Sequence, residues 1–180
     1  MHLPDHGGGP IPASLHSAQH ERPFTTCQVC SRALDAATSY TIVKSYRRDE
    51  CVFEMAICTG CAEAEAETYS EASKAALHAF RRRMLEHLEG DGCDTCGSDL
   101  DPVRGVSVYG RCRGDELWLV SHMCATCEEA LNDALSPETR GEHDRFMQTH
   151  FPGPPGMEQP LETASEETGL VWAAGPLAGP

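Results

Sequence analysis

Eight cysteines fall into two sets with the same spacing: Cys27, Cys30, Cys58 and Cys61, then Cys93, Cys96, Cys124 and Cys127. Each set reads C-x2-C, 27 residues, C-x2-C, and one shift of 66 carries the first onto the second without a gap. A C-x2-C turn offers two thiolates to one ion, and two such turns complete a tetrahedral shell with sulfurs at ~2.3 Å. The same shift aligns Leu34 with Leu100, Asp35 with Asp101, Arg47 with Arg113, Asp49 with Asp115, Glu50 with Glu116, Glu63 with Glu129, Ala64 with Ala130 and Phe80 with Phe146. The chain therefore reads as two copies of one supersecondary unit.

Composition bears on which bond the cysteines make. At 40% hydrophobic and 6% aromatic residues, the chain is lean in large apolar side chains. Small lobes of that kind need disulfides or metal to hold them. The first twenty residues lack the basic and apolar regions of a secretory leader. No run approaches the ~18 apolar residues of a membrane span. These readings predict a cytoplasmic protein, where cysteine pairs serve as metal ligands more often than as disulfides. The expected cofactor is structural Zn²⁺, two per chain. Paired disulfides, an iron-bearing S₄ site and a redox dithiol are the alternatives; the last lacks its usual βαβ context.

Local signals agree between the copies. SYTIVKSYR (39–47) and CVFEMAI (51–57) flank a polar break and predict a β-hairpin. GVSVYGRCR and ELWLVSHM flank the turn dipeptide Gly114-Asp115 and predict a second. In each copy the second cysteine pair stands where helix begins. Residues 62–89 predict one long helix, with Tyr69, Ala76, Leu77, Phe80, Met84 and Leu88 as its apolar stripe and Gly90 and Gly92 as its stop. Ser136-Pro137 reads as a fresh N-cap, so the second copy is expected to carry two helices, near 125–135 and 138–149. Placed at helix N-termini, Cys58, Cys61, Cys124 and Cys127 are expected to deprotonate readily.

A knuckle, a hairpin and a cysteine pair at a helix start together resemble the treble-clef class of zinc fingers, within the looser zinc-ribbon group. The resemblance is carried by the two cysteine sets with their hairpins and helices. The 27-residue spacer exceeds the ~15–20 of the commoner four-cysteine signature, and a long hairpin accounts for it. The class implies a structural metal and a recognition surface. The expected fold is small α+β, two tandem treble-clef-like zinc lobes with flexible termini. The expected divisions are a disordered His/Pro/Gly-rich segment at 1–23, zinc-binding repeats at 24–90 and 91–151, and a disordered acidic, Pro-rich tail at 152–180.

The remaining residues of chemical interest are weaker. Cys51 and Cys112 correspond to Leu117 and Tyr46 in the other copy and read as packing residues. His122 corresponds to Ala56 and reads as a hairpin side chain. His2, His6, His16 and His20 read as part of a polar tail rather than as ligands. Trp118 is expected to pack beside the second lobe. Leu170, Val171 and Trp172 form either a short docking motif or an incidental apolar cluster.

Charge and motif content narrow the function. The formal charge of −14 becomes roughly −18 with two tetrathiolate zinc centres. Such a field opposes phosphate backbones and anionic membranes. Lys44, Arg47, Arg48 and Arg81–Arg83 form a one-sided basic set that permits weak nucleic-acid contact at most. Four cysteines per metal leave no open position, and no Gly-rich phosphate loop, H-E-x-x-H or G-x-S-x-G occurs. The expectation is a non-catalytic zinc-binding module that engages a protein partner as adaptor or regulator. Weak nucleic-acid binding and rubredoxin-like electron transfer are the alternatives.

Overall fold

The computed structural model describes residues 9–87 and 91–151. It is a small α+β fold built on one antiparallel sheet. Alternating β-branched and aromatic residues make β2 (Ser39–Arg47) and β3 (Glu50–Cys58) one hairpin, and β4 (Val106–Arg113) and β5 (Glu116–Cys124) another. The hairpins join through β2 and β4, giving strand order β1-β5-β4-β2-β3, where β1 is Gly9–Pro10. The division at 90/91 is thus a division of sequence and not of the sheet.

The register carries the 66-residue offset into space. Val43 pairs with Tyr109, its own counterpart, and Tyr40–Cys112 mirrors Tyr46–Val106. Both hairpins also bulge at corresponding places, between Ser45 and Tyr46 and between Arg111 and Cys112. The residues left over are Val52 and Trp118, each 56% exposed. Trp118 therefore does not pack beside its lobe as expected. The bulge turns it out to solvent, where Arg113 lies 5.8 Å from its ring centre.

The hairpin turns meet the same steric demand differently. Arg48 and Asp49 both adopt positive φ, 50° and 65°. Gly114 has φ 58°, and a Cβ there would lie 2.7 Å from the Ala36 Cα, so this position admits only glycine.

The helices correct one expectation. The run 62–89 is not one helix: α1 (Thr59–Glu67) ends, and α2 (Glu71–Leu85) starts anew. The second half divides alike into α3 (Ala125–Asp133) and α4 (Pro137–His150). Ser70 caps α2 by accepting from the Ser73 amide, and Ser136 caps α4 by accepting from the Thr139 amide, both at 3.2 Å. The caps are then cross-linked. The Ser70 amide donates to Thr139 Oγ1 at 3.0 Å, the Ser136 amide donates to Ser73 Oγ at 2.9 Å, and the two cap hydroxyls lie 2.9 Å apart. The break thus gives each half a partner for backbone groups of the other. Its sequence signal was Ser70-x-x-Ser73, which the shift of 66 sets on Ser136-x-x-Thr139.

Residues 9–23 correct a second expectation. They are not a poorly ordered leader but a strap across the sheet. Gly9 and Pro10 pair with Leu117 and Glu116 of β5. Leu15, 1% exposed, fits over Gly110, where a Cβ would come within 2.8 Å of its Cδ1. At the far side the buried Lys44 donates to the carbonyls of Ser14 and His16 and pairs with Glu54 at 3.3 Å. Glu54 accepts from the Ser17 hydroxyl and the Ala18 amide, both at 2.7 Å. Lys44, Glu54 and Gly110 share one sheet face by register. Ser107, on the opposite face, bonds Glu128 of α3. The sheet is therefore sandwiched between strap and helices. Low aromatic content and high Pro/Gly content concealed this, because the strap's hold comes from a two-residue strand, Leu15 and the Lys44–Glu54 pair rather than from a periodic pattern. The readings of His2, His6, Leu88, Gly90 and Trp172, and of the tail at 152–180, lie outside the described residues.

Candidate metal centres

Each cysteine set is assembled by the same three devices. The first pair sits on a tight knuckle: the Ser31 amide donates to the Cys27 carbonyl at 2.8 Å, and the Gly97 amide to the Cys93 carbonyl at 2.7 Å. Ser31 and Gly97 follow the second cysteine with φ of 60° and 70°, a turn that brings both thiols to one side. The knuckle is then stitched to the outer hairpin strand. Gln28 exchanges hydrogen bonds with Ala56, its amide donating to the carbonyl at 3.0 Å and its Oε1 accepting from the Ala56 amide at 2.6 Å. Asp94 does the same with His122. Finally, Cys58 and Cys124 stand at the N-caps of α1 and α3, and their amides donate to Cys27 Sγ and Cys93 Sγ at 3.3 Å.

The structure thereby gathers all eight cysteines singled out by spacing into two groups of four. Within each group every sulfur lies within 4.8 Å of the others. Cys30–Cys58 and Cys96–Cys124 are 3.8 and 3.9 Å apart. A tetrahedral ion with ~2.3 Å metal–sulfur bonds has sulfur–sulfur edges of about 3.8 Å, whereas a disulfide needs ~2.05 Å. The donor set thus fits a metal ion, and all ten cysteines are free thiols. Cys27 and Cys93 are buried at 1% and 0% exposure, while Cys30 and Cys96 face solvent.

In the metal-free chain the acidity is distributed against expectation. Burial pushes Cys27 up, but the amides of Cys58, Cys30 and Val29 overcome it and bring the thiol down to about 7. The Ser98 hydroxyl and amide lower Cys96 to about 6. The pairs at the helix starts go the other way. Burial, and the sulfurs crowded beside them, raise Cys58, Cys61, Cys124 and Cys127. With four thiols this close, the first negative charge settles where most N–H and O–H groups point, and it suppresses ionisation of its neighbours. A dication removes that repulsion, so metal binding and thiol deprotonation are one event.

The other candidates stay outside both groups. Cys112 is 3% exposed in the core, and Cys51 lies partly buried on β3. His122 is buried on β5, its Nδ1 3.8 Å from Asp94. His16 and His20 belong to the strap and lie in neither cluster. Sequence reasoning missed a buried polar trio between α1 and α4. His143 Nδ1 meets Glu65 Oε1 at 2.7 Å, and the Tyr69 hydroxyl donates to the same oxygen. Among the described residues no helix is long and apolar enough to cross a membrane. No protein-family model, no curated protein and no solved structure matches the chain.

Proposed function

We propose that the chain is a non-catalytic zinc-binding protein whose tetrathiolate centres are structural and whose surface engages another protein, as adaptor or regulator. The observation that carries the reading is that both centres are complete, with four sulfurs within 4.8 Å in each. Four thiolates saturate Zn²⁺, leaving no position for substrate or water. The order of knuckle, hairpin and cysteine-capped helix supports the treble-clef reading in both halves.

The basic residues support protein rather than nucleic acid as the partner class. Lys44, which in sequence headed the basic set, is 3% exposed and engaged with Glu54. Arg81 is partly buried, and burial pushes its guanidinium down. What remains on the surface sits in a chain of net charge −14.

Native mass spectrometry with metal analysis tests the structural claim. Two zinc ions per chain are expected; fewer, or a purified protein that absorbs visible light as iron–thiolate does, overturns it. Affinity capture at moderate salt should recover a protein partner. Titration with mixed DNA and RNA at two salt concentrations should show no binding that survives the higher one.

A further inference from the structure

The outer strands of the two hairpins are treated unequally. At β5, the knuckle occupies the edge near His122 through Asp94, and Gly9–Pro10 covers it at Leu117 and Glu116. The Ile11 amide extends that strip by donating to the Asp115 carbonyl at 3.1 Å. At β3 the knuckle likewise occupies the edge at Ala56 through Gln28. The strap reaches only the Glu54 side chain there. Among the described residues nothing pairs with the outer edge of β3 from Glu50 to Phe53. Glu50 and Cys51 are the counterparts of Glu116 and Leu117. An edge with no partner among the described residues, beside an exposed Val52, invites another strand.

The chain carries a segment suited to that place. Gly-Pro recurs at Gly153, Gly175 and Gly179, but only in Gly175-Pro176-Leu177 does a branched aliphatic residue with an N–H follow, as Ile11 follows Gly9-Pro10. A Gly-Pro pair suits an outermost strand, where the missing proline N–H faces away from the ladder. The described chain also ends at this edge. Phe151 follows α4 and packs on Phe53 of β3, ring centres 5.7 Å apart. Residues 152–174 then tether Gly175 to the strand it would meet, which raises its effective concentration into the millimolar range.

We propose that the outer edge of β3 at Glu50 and Cys51 is a docking site for this chain's own Gly175-Pro176-Leu177, as the edge of β5 is for Gly9-Pro10-Ile11. By the 66-residue correspondence Gly175 lies opposite Cys51 and Pro176 opposite Glu50. The proposal goes beyond the interaction-module reading and does not depend on it. Its consequence is that a partner adding a strand here must first displace the tail.

Hydrogen exchange on the metal-loaded chain tests it. Peptides covering 50–53 should exchange at least about tenfold faster when the chain is cut after Phe151, and again in full-length Leu177→Asp. A synthetic peptide spanning 173–180 should restore protection to the cut chain. In a second arm, mild oxidation of Gly175→Cys should yield a disulfide with Cys51, since paired Cα atoms lie ~4.5–5.5 Å apart. Unchanged exchange together with no such disulfide overturns the proposal. So does protection that persists without the tail and grows with protein concentration, which identifies a second copy as occupant. Metal content and exchange of β2 and β4, read in the same samples, separate these outcomes from failure of the zinc centres.

Discussion

Around the crossed serine caps, the helical layer has two sides built on the same plan and filled differently. On one side α1 and α4 bury Glu65, Tyr69 and His143 in a hydrogen-bonded trio. At the positions 66 residues away the other side has Leu131, Leu135 and Leu77, buried at 2%, 3% and 5% exposure. The polar side must desolvate a carboxylate and an imidazole, and recovers that cost only while all partners are present. Burial raises the Tyr69 phenol, and the Glu65 carboxylate adds to the effect, so the hydroxyl stays a donor. The leucine side needs no partner. One backbone plan therefore tolerates either filling, because both halves share the four-cysteine groups at the helix starts and the crossed serine caps that position the helices.

Removing what the halves share should have the largest effect. Exhaustive chelation is expected to abolish the cooperative fold of both halves, since a structural tetrathiolate zinc contributes ~10–16 kcal/mol of binding free energy. Far-ultraviolet circular dichroism with metal counting checks it, and retention of the native spectrum by a metal-free chain sinks the structural role. Where the halves differ, single and combined changes should diverge. His143→Leu alone takes the imidazole from the buried Glu65 and leaves it the Tyr69 hydroxyl, and should cost ~3–5 kcal/mol in denaturant unfolding. The triple change Glu65→Leu, Tyr69→Leu, His143→Leu copies the other side and should be neutral, or stabilising by ~1–4 kcal/mol. Equal destabilisation by both would show that the trio has a role the leucines lack.

A smaller asymmetry lies under the strap, where Lys44 and Glu54 stand against Gly110 and Val120 of the other half. Burial pushes the Glu54 carboxyl up, yet the Ala18 amide, the Ser17 hydroxyl and Lys44 prevail and hold it below its usual value. A depressed carboxyl contributes stability above its unfolded value, ~4.3, and loses it as pH falls through the folded value. Acid unfolding midpoints should therefore show Glu54→Gln less stable than the parent by ~1–3 kcal/mol at pH 7, converging with it below pH 4. A gap that persists in acid would break the assignment. The smallest effect belongs to the bulges: Trp118→Ser, like Val52→Ser, should shift stability by under ~0.5 kcal/mol, because both side chains already face water.

Much of the centre and some of the frame were legible in the chain. Cysteine spacing fixed which sulfurs can share an ion, because two residues between ligands and a hairpin between pairs are local constraints. Period-two runs placed the four long strands, and Ser136-Pro137 placed α4. The break at Tyr69-Ser70 was harder to read, because Ala- and Glu-rich sequence around it is good helix and the capping hydroxyls gain their value from the facing helix.

The sequence by itself thus determined two four-sulfur centres and the 66-residue correspondence between them, since both follow from spacing along the chain. Only the tertiary structure decided how the halves meet: β2 on β4 at Val43 and Tyr109, caps exchanged at Ser70 and Ser136, and one strap shared by both hairpins. Those contacts join residues far apart in the chain, and no local preference records a partner that arrives only when the chain closes.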